Sequence, residues 1–181
     1  YYTPPQFVSK NQVLLLEDEF NHAVKVMRNC IGDELYATNG EGTIYQTKIF
    51  AVNNDKLIAR IKKQFRYKNL SENIIFCIPK LKNPDRLKFA IEKSVELGIN
   101  RFKIFESKNT VSKTSNLIRL QKIAIAAMKQ SLHAFLPQIE FDTFSQIKKS
   151  NGNKIFFDQN ATAEFNNETK FIRPAYFIFG P

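Results

Sequence analysis

Residues 74–86, IIFCIPKLKNPDR, run from a continuous apolar segment directly into a helix start signal. The apolar run is typical of a strand that is buried on both faces of a sheet. Asn83 followed by Pro84 predicts a helix, because asparagine caps free backbone N–H groups and proline fits the first helical position. The stretch therefore predicts a strand–loop–helix unit of a parallel α/β sheet, in which ligands bind beyond the carboxyl ends of the strands.

Strands and helices continue to alternate along the rest of this region. Leu87, Ile91 and Val95 recur at helical spacing, and Gly98 supplies the residue that stops the helix. The pattern further predicts a strand at 101–105, a long helix at 117–132 and strands at 154–158 and 175–179. Residues 69–181 are therefore predicted to form an α/β domain around a mostly parallel sheet.

Residues 1–68 show a different pattern, in which short strands are separated by turns. Residues 39–42, NGEG, predict a hairpin turn because asparagine and glycine accept positive φ angles. Residues 43–52 alternate imperfectly between the two faces of a strand, and one short helix is predicted at 18–28. This pattern indicates an N-terminal all-β domain with the fold of a small β-barrel.

The charge balance is the first indication of a binding partner. The sequence holds 27 lysines and arginines against 17 aspartates and glutamates, which gives a net charge of +10. A basic surface attracts polyanions, of which nucleic acid is the most common. The alternative is a basic surface that serves only solubility.

Composition and motifs exclude several classes of protein. The sequence contains no apolar run long enough to cross a bilayer and no export signal, so we expect a cytoplasmic protein. Cys30 and Cys77 lie in apolar stretches and are expected to be buried free thiols; with only two histidines, no metal site is expected. The motifs of Rossmann dehydrogenases, P-loop NTPases, α/β-hydrolases and zincins are all absent from the sequence.

Residues 60–70 concentrate positive charge between the two predicted domains. Five cations lie within nine residues, and two aromatic side chains stand between them: Arg60, Lys62, Lys63, Arg66 and Lys68, with Phe65 and Tyr67. Such a segment is either a solvated linker or a surface that holds a nucleic acid backbone and stacks a base. The sequence leaves both interpretations open.

A second group of cations follows the predicted strand at 74–78. Lys80, Lys82 and Arg86 lie at the carboxyl end of that strand and at the start of the next helix. The helix dipole and its free N–H groups favour anions there, so a phosphate-bearing substrate is predicted to bind. Alternatively, Lys80 and Lys82 only solvate a loop. No residue is a convincing general base, so the catalytic residues are not assigned.

Several motifs, taken in their order along the chain, resemble one known family. His22, Val26, Met27 and Arg28 come first, followed by Gly32-Asp33 and by Gly40, Gly42 and Tyr45. Next come Lys82, Asp85-Arg86, Glu92-Lys93, Glu96-Leu97-Gly98, residues 126–131 and Pro137. The final residues, Phe177-Ile178-Phe179-Gly180-Pro181, resemble the opening of a Gly-Pro-Glu-Gly loop. Together they are similar to the RsmE-type 16S ribosomal RNA uridine-N3 methyltransferases of the SPOUT class.

The resemblance implies a fold, a reaction and a set of site residues. It implies a PUA-like RNA-binding β-barrel, a SPOUT-type α/β domain whose trefoil knot binds S-adenosylmethionine as methyl donor, a homodimer, and the small ribosomal subunit as partner. On this basis the residues expected near the cofactor are Phe157, Asp158, Phe179, Gly180 and Pro181. The residues expected to contact RNA are His22, Arg28, Lys82 and Arg86, with Lys80 added from its place after the strand.

The sequence departs from the family pattern at three places. The glutamate after Gly180-Pro181 and the segment that closes the knot do not occur within the 181 residues, so we expect further residues after Pro181. Ser107-Lys108-Asn109-Thr110 replaces a Ser-Glu-Arg-Ser stretch, and His133 replaces an arginine. Both changes weaken RNA contact unless Lys108 and Lys113 compensate. A non-catalytic basic RNA-binding protein and a small-molecule α/β enzyme remain as alternatives.

Overall fold

The computed structural model describes residues 1–106, 116–166 and 168–180 of the chain. Two compact units make up the molecule. Tyr1–Asn69 and Met128–Leu136 form the first unit, and Leu70–Ala127 and Pro137–Pro181 form the second. The break after Asn69 lies next to the boundary that the sequence predicts, whereas the sequence assigns Met128–Leu136 to the α/β domain.

The first unit is built on a four-stranded antiparallel sheet in the order β1-β4-β3-β2. Its strands are β1 (Gln12–Leu16), β2 (Glu34–Thr38), β3 (Thr43–Val52) and β4 (Lys56–Arg66). Helix α1 (Glu17–Asn21) follows β1 and continues into a wider turn, His22–Val26. The buried side chains alternate along the strands and form one apolar core, which includes Val13, Leu15, Leu35, Ile49 and Leu57.

The predicted hairpin turn at 39–42 is present and closes β2 onto β3. The side chain of Asn39 accepts hydrogen bonds from the backbone N–H groups of Glu41 and Thr43, at 2.9 and 3.0 Å. Gly42 has a φ of +99°. A Cβ atom at Gly42 would lie 3.0 Å from the ring of Phe135, so glycine is required by both its backbone angle and the close approach.

The structure excludes one interpretation that was left open for this unit and corrects one prediction. Residues 60–66 are not a linker, because they form the second half of β4 and pair with β3. The mostly polar composition of this half of the strand reflects its exposed positions rather than a break in the fold. The helix predicted at 18–28 is split into α1 and the wider turn, and β1 was not predicted at all.

The second unit is an α/β domain with five parallel strands in the order β7-β6-β5-β9-β8. The strands are β5 (Ile74–Pro79), β6 (Arg101–Phe105), β7 (Gln138–Asp142), β8 (Asn153–Phe157) and β9 (Ala175–Phe179). The helices that follow β5, β6 and β7 are α2 (Pro84–Glu96), α3 (Leu117–Gln130) and α4 (Phe144–Lys149). An antiparallel unit followed by a parallel α/β unit confirms the predicted fold class, although β7 and α4 were not predicted.

The position of β9 decides where ligands can bind in this unit. β9 does not lie at an edge of the sheet, because it pairs with β5 on one side and with β8 on the other. The strands β6 and β7 therefore lie on one side of β5, and the later strands β8 and β9 lie on its other side, so the strand order reverses beside β5. Ligand sites of open α/β sheets form at such a reversal, beyond the carboxyl ends of the strands.

Helix α2 forms where the sequence predicts it. The Asn83 side chain accepts a hydrogen bond of 2.8 Å from the backbone N–H of Asp85, which caps the helix. Leu87, Ile91 and Val95 are buried, so the helix packs through the face that its apolar spacing defines. Gly98 ends the helix with a φ of +91°.

Neither a membrane-spanning helix nor a metal cluster occurs among the described residues. No helix there is both long and apolar enough to cross a membrane. No three His, Cys, Asp or Glu side chains in the same residues are grouped so that they could hold a metal ion.

The two cysteines occupy different environments. Cys77 lies inside β5 and is fully buried, as predicted, and burial raises the pKa of its thiol to about 12. The prediction is wrong for Cys30, which is exposed. Cys30 belongs to a turn whose backbone is held by Asp33, and the apolar neighbour Ile31 is exposed beside it.

We expect a thiol reagent to separate these two cysteines. At pH 8 iodoacetamide should alkylate Cys30 rapidly and leave Cys77 unmodified, because a buried thiol with a raised pKa supplies almost no accessible thiolate. Peptide mass spectrometry of the native protein measures both sites, and a urea-unfolded sample in which both react is the control. Equal modification of the two residues in the native protein would contradict the burial of β5.

Candidate functional site

The carboxyl ends of β8 and β9 meet in a close backbone contact. The N–H of Gly180 donates a hydrogen bond to the carbonyl oxygen of Phe157 at 3.2 Å. The rings of Phe157 and Phe179 stack with centroids 5.0 Å apart and planes 12° from parallel. A Cβ atom on Gly180 would lie 3.2 Å from the same carbonyl oxygen, so the contact is closest with glycine. The structure thus brings together three of the five residues predicted to bind a cofactor.

A cavity of about 440 Å³ opens where the chain leaves β8. Asp158, the fourth predicted residue, lines it, and the fifth, Pro181, lies outside the described residues. The Asp158 side chain accepts a 2.8 Å hydrogen bond from the N–H of Asn160, which folds the loop into a turn. The lining also includes Phe157, Glu164, Phe165 and Thr169.

Aromatic side chains pack beneath this cavity. Phe177 of β9 lies against Phe157, Phe165 and Phe171, with ring centroids 5.3 to 6.2 Å apart. Such aromatic contacts stabilise the packing of β8 and β9 against the segment that joins them. Two carboxylates beside a wall of aromatic rings suit a ligand that combines a flat heterocycle, hydroxyl groups and a positive charge.

Sequence reasoning did not name Glu164, Phe165 and Thr169, which also line the cavity. They lie in an irregular segment between β8 and β9, where no periodic pattern or motif marks them. Their distance from the strand end along the chain concealed their place in the cavity. The excess of phenylalanine, 17 in the chain, was the one available signal.

The three cations predicted after β5 lie in different environments. The Lys80 ammonium is 2.7 Å from the Glu106 carboxylate and 4.8 Å from the centre of the Phe141 ring, and its side chain is only 14% exposed. Lys82 and Arg86 are exposed, in the loop before α2 and in its first turn. Because β5 pairs with β9, these cations follow the strand next to the one that ends at Phe179.

A second cavity, of about 360 Å³, lies at the carboxyl ends of β5, β6 and β7. It is lined by Lys80, Ile104, Glu106, Phe141, Asp142, Thr143 and Gln146. These residues come from three separate parts of the chain, and none except Lys80 was singled out by the sequence.

Lys103 and Asp142 form an ion pair between β6 and β7, beside the second cavity. Burial lowers the pKa of Lys103, but the hydrogen bond and the charge of Asp142 raise it more, so the net shift is upward. The Asp142 carboxylate also accepts a hydrogen bond from the backbone N–H of Thr143, at 2.8 Å. Asp142 is therefore held in place and serves the packing of the strands.

His22 and Arg28, the other residues predicted to contact RNA, lie in the first unit. Both are exposed; the His22 ring is 5.7 Å from the ring of Tyr1, and Arg28 has a φ of +57° at the end of the wider turn. His133 also belongs to the first unit. The departures from the family pattern at 107–110, and Lys113, lie outside the described residues.

Two family models match the chain. Residues 68–181 match a model described as an RNA methyltransferase domain, and residues 15–62 match one described as an RNA methyltransferase PUA domain. The matched segments follow the two folds in order, the antiparallel sheet first and the parallel sheet second.

One curated protein and two solved structures are also similar to this chain. The ribosomal RNA small subunit methyltransferase E of Buchnera aphidicola subsp. Schizaphis graminum is 26% identical over 188 residues, which is 96% of this chain and 75% of that protein. The crystal structure of a ribosomal RNA small subunit methyltransferase E from Neisseria gonorrhoeae bound to S-adenosyl methionine superposes with a TM-score of 0.86 at 21% identity, covering 100% of this chain and 78% of that one. A methyltransferase from Legionella pneumophila in complex with the same cofactor gives 0.80 at 17% identity, covering 98% and 77%.

Proposed function

The chain belongs to the RNA methyltransferase family, and on this premise we propose that it transfers the methyl group of S-adenosylmethionine to N3 of a uridine in 16S ribosomal RNA. The observation that carries the proposal is the carboxyl edge of the parallel sheet. The Phe157–Gly180 contact and the adjoining cavity lie at the ends of β8 and β9, and Lys82 and Arg86 follow β5, the strand beside β9. The curated relative that acts on small-subunit RNA and the two neighbours bound to S-adenosylmethionine support the choice of substrate and cofactor.

The cavity at the end of β8 suits this methyl donor. The donor carries an adenine ring, ribose hydroxyls and a positively charged sulfonium, whose methyl group it supplies when bound. The rings of Phe157 and Phe165 offer an apolar surface for a heterocycle, and the carboxylates of Asp158 and Glu164 attract the positive charge. Gly180 keeps the backbone of β9 close to that of β8, which shapes this wall.

Lys82 and Arg86 hold the RNA in the proposed mechanism. Both are exposed beside the start of α2, where the helix dipole adds to their positive charge, so they suit the phosphates that flank the target nucleotide. N3 of a paired uridine is hidden in the duplex, so the target must be single-stranded or extruded. Most of the rate then comes from holding N3 in line with the reactive methyl group.

The first unit supplies the remaining RNA contacts in this proposal. Its family model is that of a PUA domain, and His22 and Arg28 are both exposed on it. The proposal also includes assembly as a homodimer, action on the small ribosomal subunit and a cytoplasmic location. These follow from the resemblance to the RsmE-type enzymes rather than from a contact in the structure.

A methyl-transfer assay tests the proposed function. The complete protein is incubated with methyl-labelled S-adenosylmethionine and with small-subunit ribosomal particles that lack the modification, and the digested RNA is analysed by mass spectrometry. Label in 3-methyluridine supports the proposal, and a sample without protein is the control. Label in another nucleoside, or none although the protein binds both substrates, would refute it.

A further inference from the structure

One face of the antiparallel sheet in the first unit is exposed, and the strands that build it are strongly basic. The strands β1 to β4 carry six lysines and arginines and a single carboxylate, Glu34. The other face of the same sheet carries the apolar core of the unit. Because successive side chains of a strand point to opposite faces, the residues that alternate with the core point outwards.

The strand register places three of the cations on this outer face. Lys48 pairs with Arg60 across β3 and β4. Gln46, two residues before Lys48, pairs with Lys63. Residues that pair across an antiparallel sheet share a face, as do residues two apart on one strand. All three cations are exposed, and no ion pair joins them to a carboxylate among the described residues, so their charges are available to an anionic ligand.

Two aromatic side chains are exposed on the same face. Tyr36 pairs with Gln46, which places it in the row of Lys63, and it is 41% exposed. Phe50 is 48% exposed, and the guanidinium of Arg60 lies 3.9 Å from the centre of its ring. This contact shows that Phe50 and Arg60 share a face, although the register shifts beside Phe50. The face therefore combines positive charge with two rings on which a flat group can stack.

The single carboxylate of these strands leaves the face positive. Glu34 opposes Lys48 in the register, and its carboxylate accepts a hydrogen bond of 3.1 Å from the side-chain amide of Gln46. A ligand that matches the face has repeated negative charges and flat rings, as a single-stranded nucleic acid does. A lipid surface offers anionic headgroups but no flat rings, and a duplex hides its bases in the stack.

We propose that the exposed face of this sheet binds a single-stranded segment of the RNA substrate. The inference rests on the proposed function, which names RNA as that substrate. Bases stack on the rings, and phosphates lie against the cations, of a surface that we call the RNA face: Tyr36, Lys48, Phe50, Arg60 and Lys63. Other four-stranded sheets bind RNA by stacking bases on exposed aromatic side chains. His22 and Arg28 lie between β1 and β2, so the RNA face is an additional site.

The spacing of the two rings indicates that the RNA face binds more than one nucleotide. Gln46, the partner of Tyr36, lies four residues from Phe50 along β3. At about 3.4 Å per residue, the two rings are about 13 Å apart along the strand, which is too far for both to hold one base. Lys48 and Arg60 form the row between the rings, where the phosphates that join the two stacked bases lie.

A tryptophan reporter tests the stacking directly, because the chain contains no tryptophan. The complete protein carrying Phe50→Trp is titrated with a single-stranded RNA of about 12 nucleotides and with an abasic strand of the same length. We expect the RNA to quench the tryptophan fluorescence by roughly half and the abasic strand to leave it unchanged, since stacking requires a base.

Leu97→Trp is the matched control for this reporter. Leu97 is 84% exposed at the end of α2 in the second unit, so its tryptophan is open to solvent but lies off the RNA face. Fluorescence of Phe50→Trp that does not change when RNA saturates the protein would overturn the proposal, and so would equal quenching of Leu97→Trp. Equal quenching of Phe50→Trp by heparin, or by phosphatidylglycerol vesicles, would also overturn it, because the face would then recognise charge alone or a membrane.

Affinity measurements separate the role of the ring from that of the cation. Phe50→Ala should weaken the binding of the same RNA about 10-fold and leave the salt slope unchanged, since the ring carries no charge. Arg60→Ala should make the slope of log affinity against log salt shallower by about 0.7. Lys149→Ala, which removes an exposed cation of α4 in the second unit, should change neither quantity. Wild-type affinity in Phe50→Ala would contradict the stacking, and a wild-type slope in Arg60→Ala would contradict the phosphate contact.

The outcomes separate this inference from the proposed function. If the wild-type protein forms 3-methyluridine but RNA does not quench Phe50→Trp, the RNA face is refuted and the proposed function stands. If the wild-type protein methylates no uridine but single-stranded RNA alone quenches Phe50→Trp, the RNA face stands and the proposed function fails.

Discussion

Replacing Gly180 with valine is expected to weaken the binding of S-adenosylmethionine by roughly 10- to 100-fold, because forcing extra carbons into a close-packed contact costs about 1 to 3 kcal/mol. A Cβ atom at this position already lies 3.2 Å from the carbonyl oxygen of Phe157, and the branched side chain adds two further carbons. The ends of β8 and β9 must then separate, and the wall of the donor cavity moves with them. Isothermal titration calorimetry measures the change.

The interpretation of Gly180→Val needs two controls. Gly180→Ala adds only the single Cβ atom and should give a smaller loss, so the two variants form a graded series. The melting temperature of each variant distinguishes a local change at the strand ends from a loss of folding. If Gly180→Val folds normally and binds S-adenosylmethionine as tightly as the wild-type protein, the cofactor does not bind at this edge of the sheet.

The double variant Lys82→Ala/Arg86→Ala should lose most of its affinity for ribosomal RNA and bind S-adenosylmethionine normally. If each cation neutralises one phosphate of a single strand, log affinity falls with log salt less steeply, by about 0.7 for each residue removed. Methylation at subsaturating RNA should decrease in parallel, by roughly 10- to 100-fold. Filter binding at several salt concentrations measures the slope.

Lys88→Ala is the matched control for this double variant. Lys88 is also an exposed cation of α2, but it lies two residues after Arg86 and thus about 200° around the helix. Its removal lowers the net charge by one without touching the proposed phosphate site. A salt slope that Lys88→Ala lowers as much as each of the two cations does would indicate a diffuse charge effect rather than a site.

The sequence predicts most accurately where local signals are complete. The segment from β5 to the end of α2 carries an apolar run, an asparagine cap, a proline at the first helical position and a glycine stop, and all four act as predicted. Each of these signals depends on only a few neighbouring residues. Local physical chemistry is therefore sufficient to predict this strand–loop–helix segment. The segment places Lys82 and Arg86 at the edge of the sheet where ligands bind.

The missed strands lacked such signals. β1 and β7 are both edge strands of five residues, and only one residue of β7, Ile139, is buried. β7 therefore shows almost no alternation in its sequence, whereas in β1 the apolar run at residues 13–16 hides the alternation of its buried side chains. The second half of β4 was not predicted as a strand for a related reason. Its exposed lysines are compatible with a linker or a binding surface, although the backbone pairs with β3.

Some residues of the candidate site could likewise be named from the sequence, and others could not. Phe157, Phe179 and Gly180 were named from the resemblance of their motifs, and the structure brings them into contact. Glu106 and Gln146 belong to no motif and follow different strands, so only the folded sheet brings them to one cavity.

Photochemical cross-linking of methyl-labelled S-adenosylmethionine to the complete protein tests the central claim most directly. After tryptic digestion, we expect the label in the peptides that cover residues 155–170 and 171–181, which contain the cavity lining and the end of β9. An excess of unlabelled S-adenosylmethionine should suppress this labelling. Label confined to peptides of the first unit, or to peptides elsewhere in the second, would show that the carboxyl ends of β8 and β9 do not bind the methyl donor.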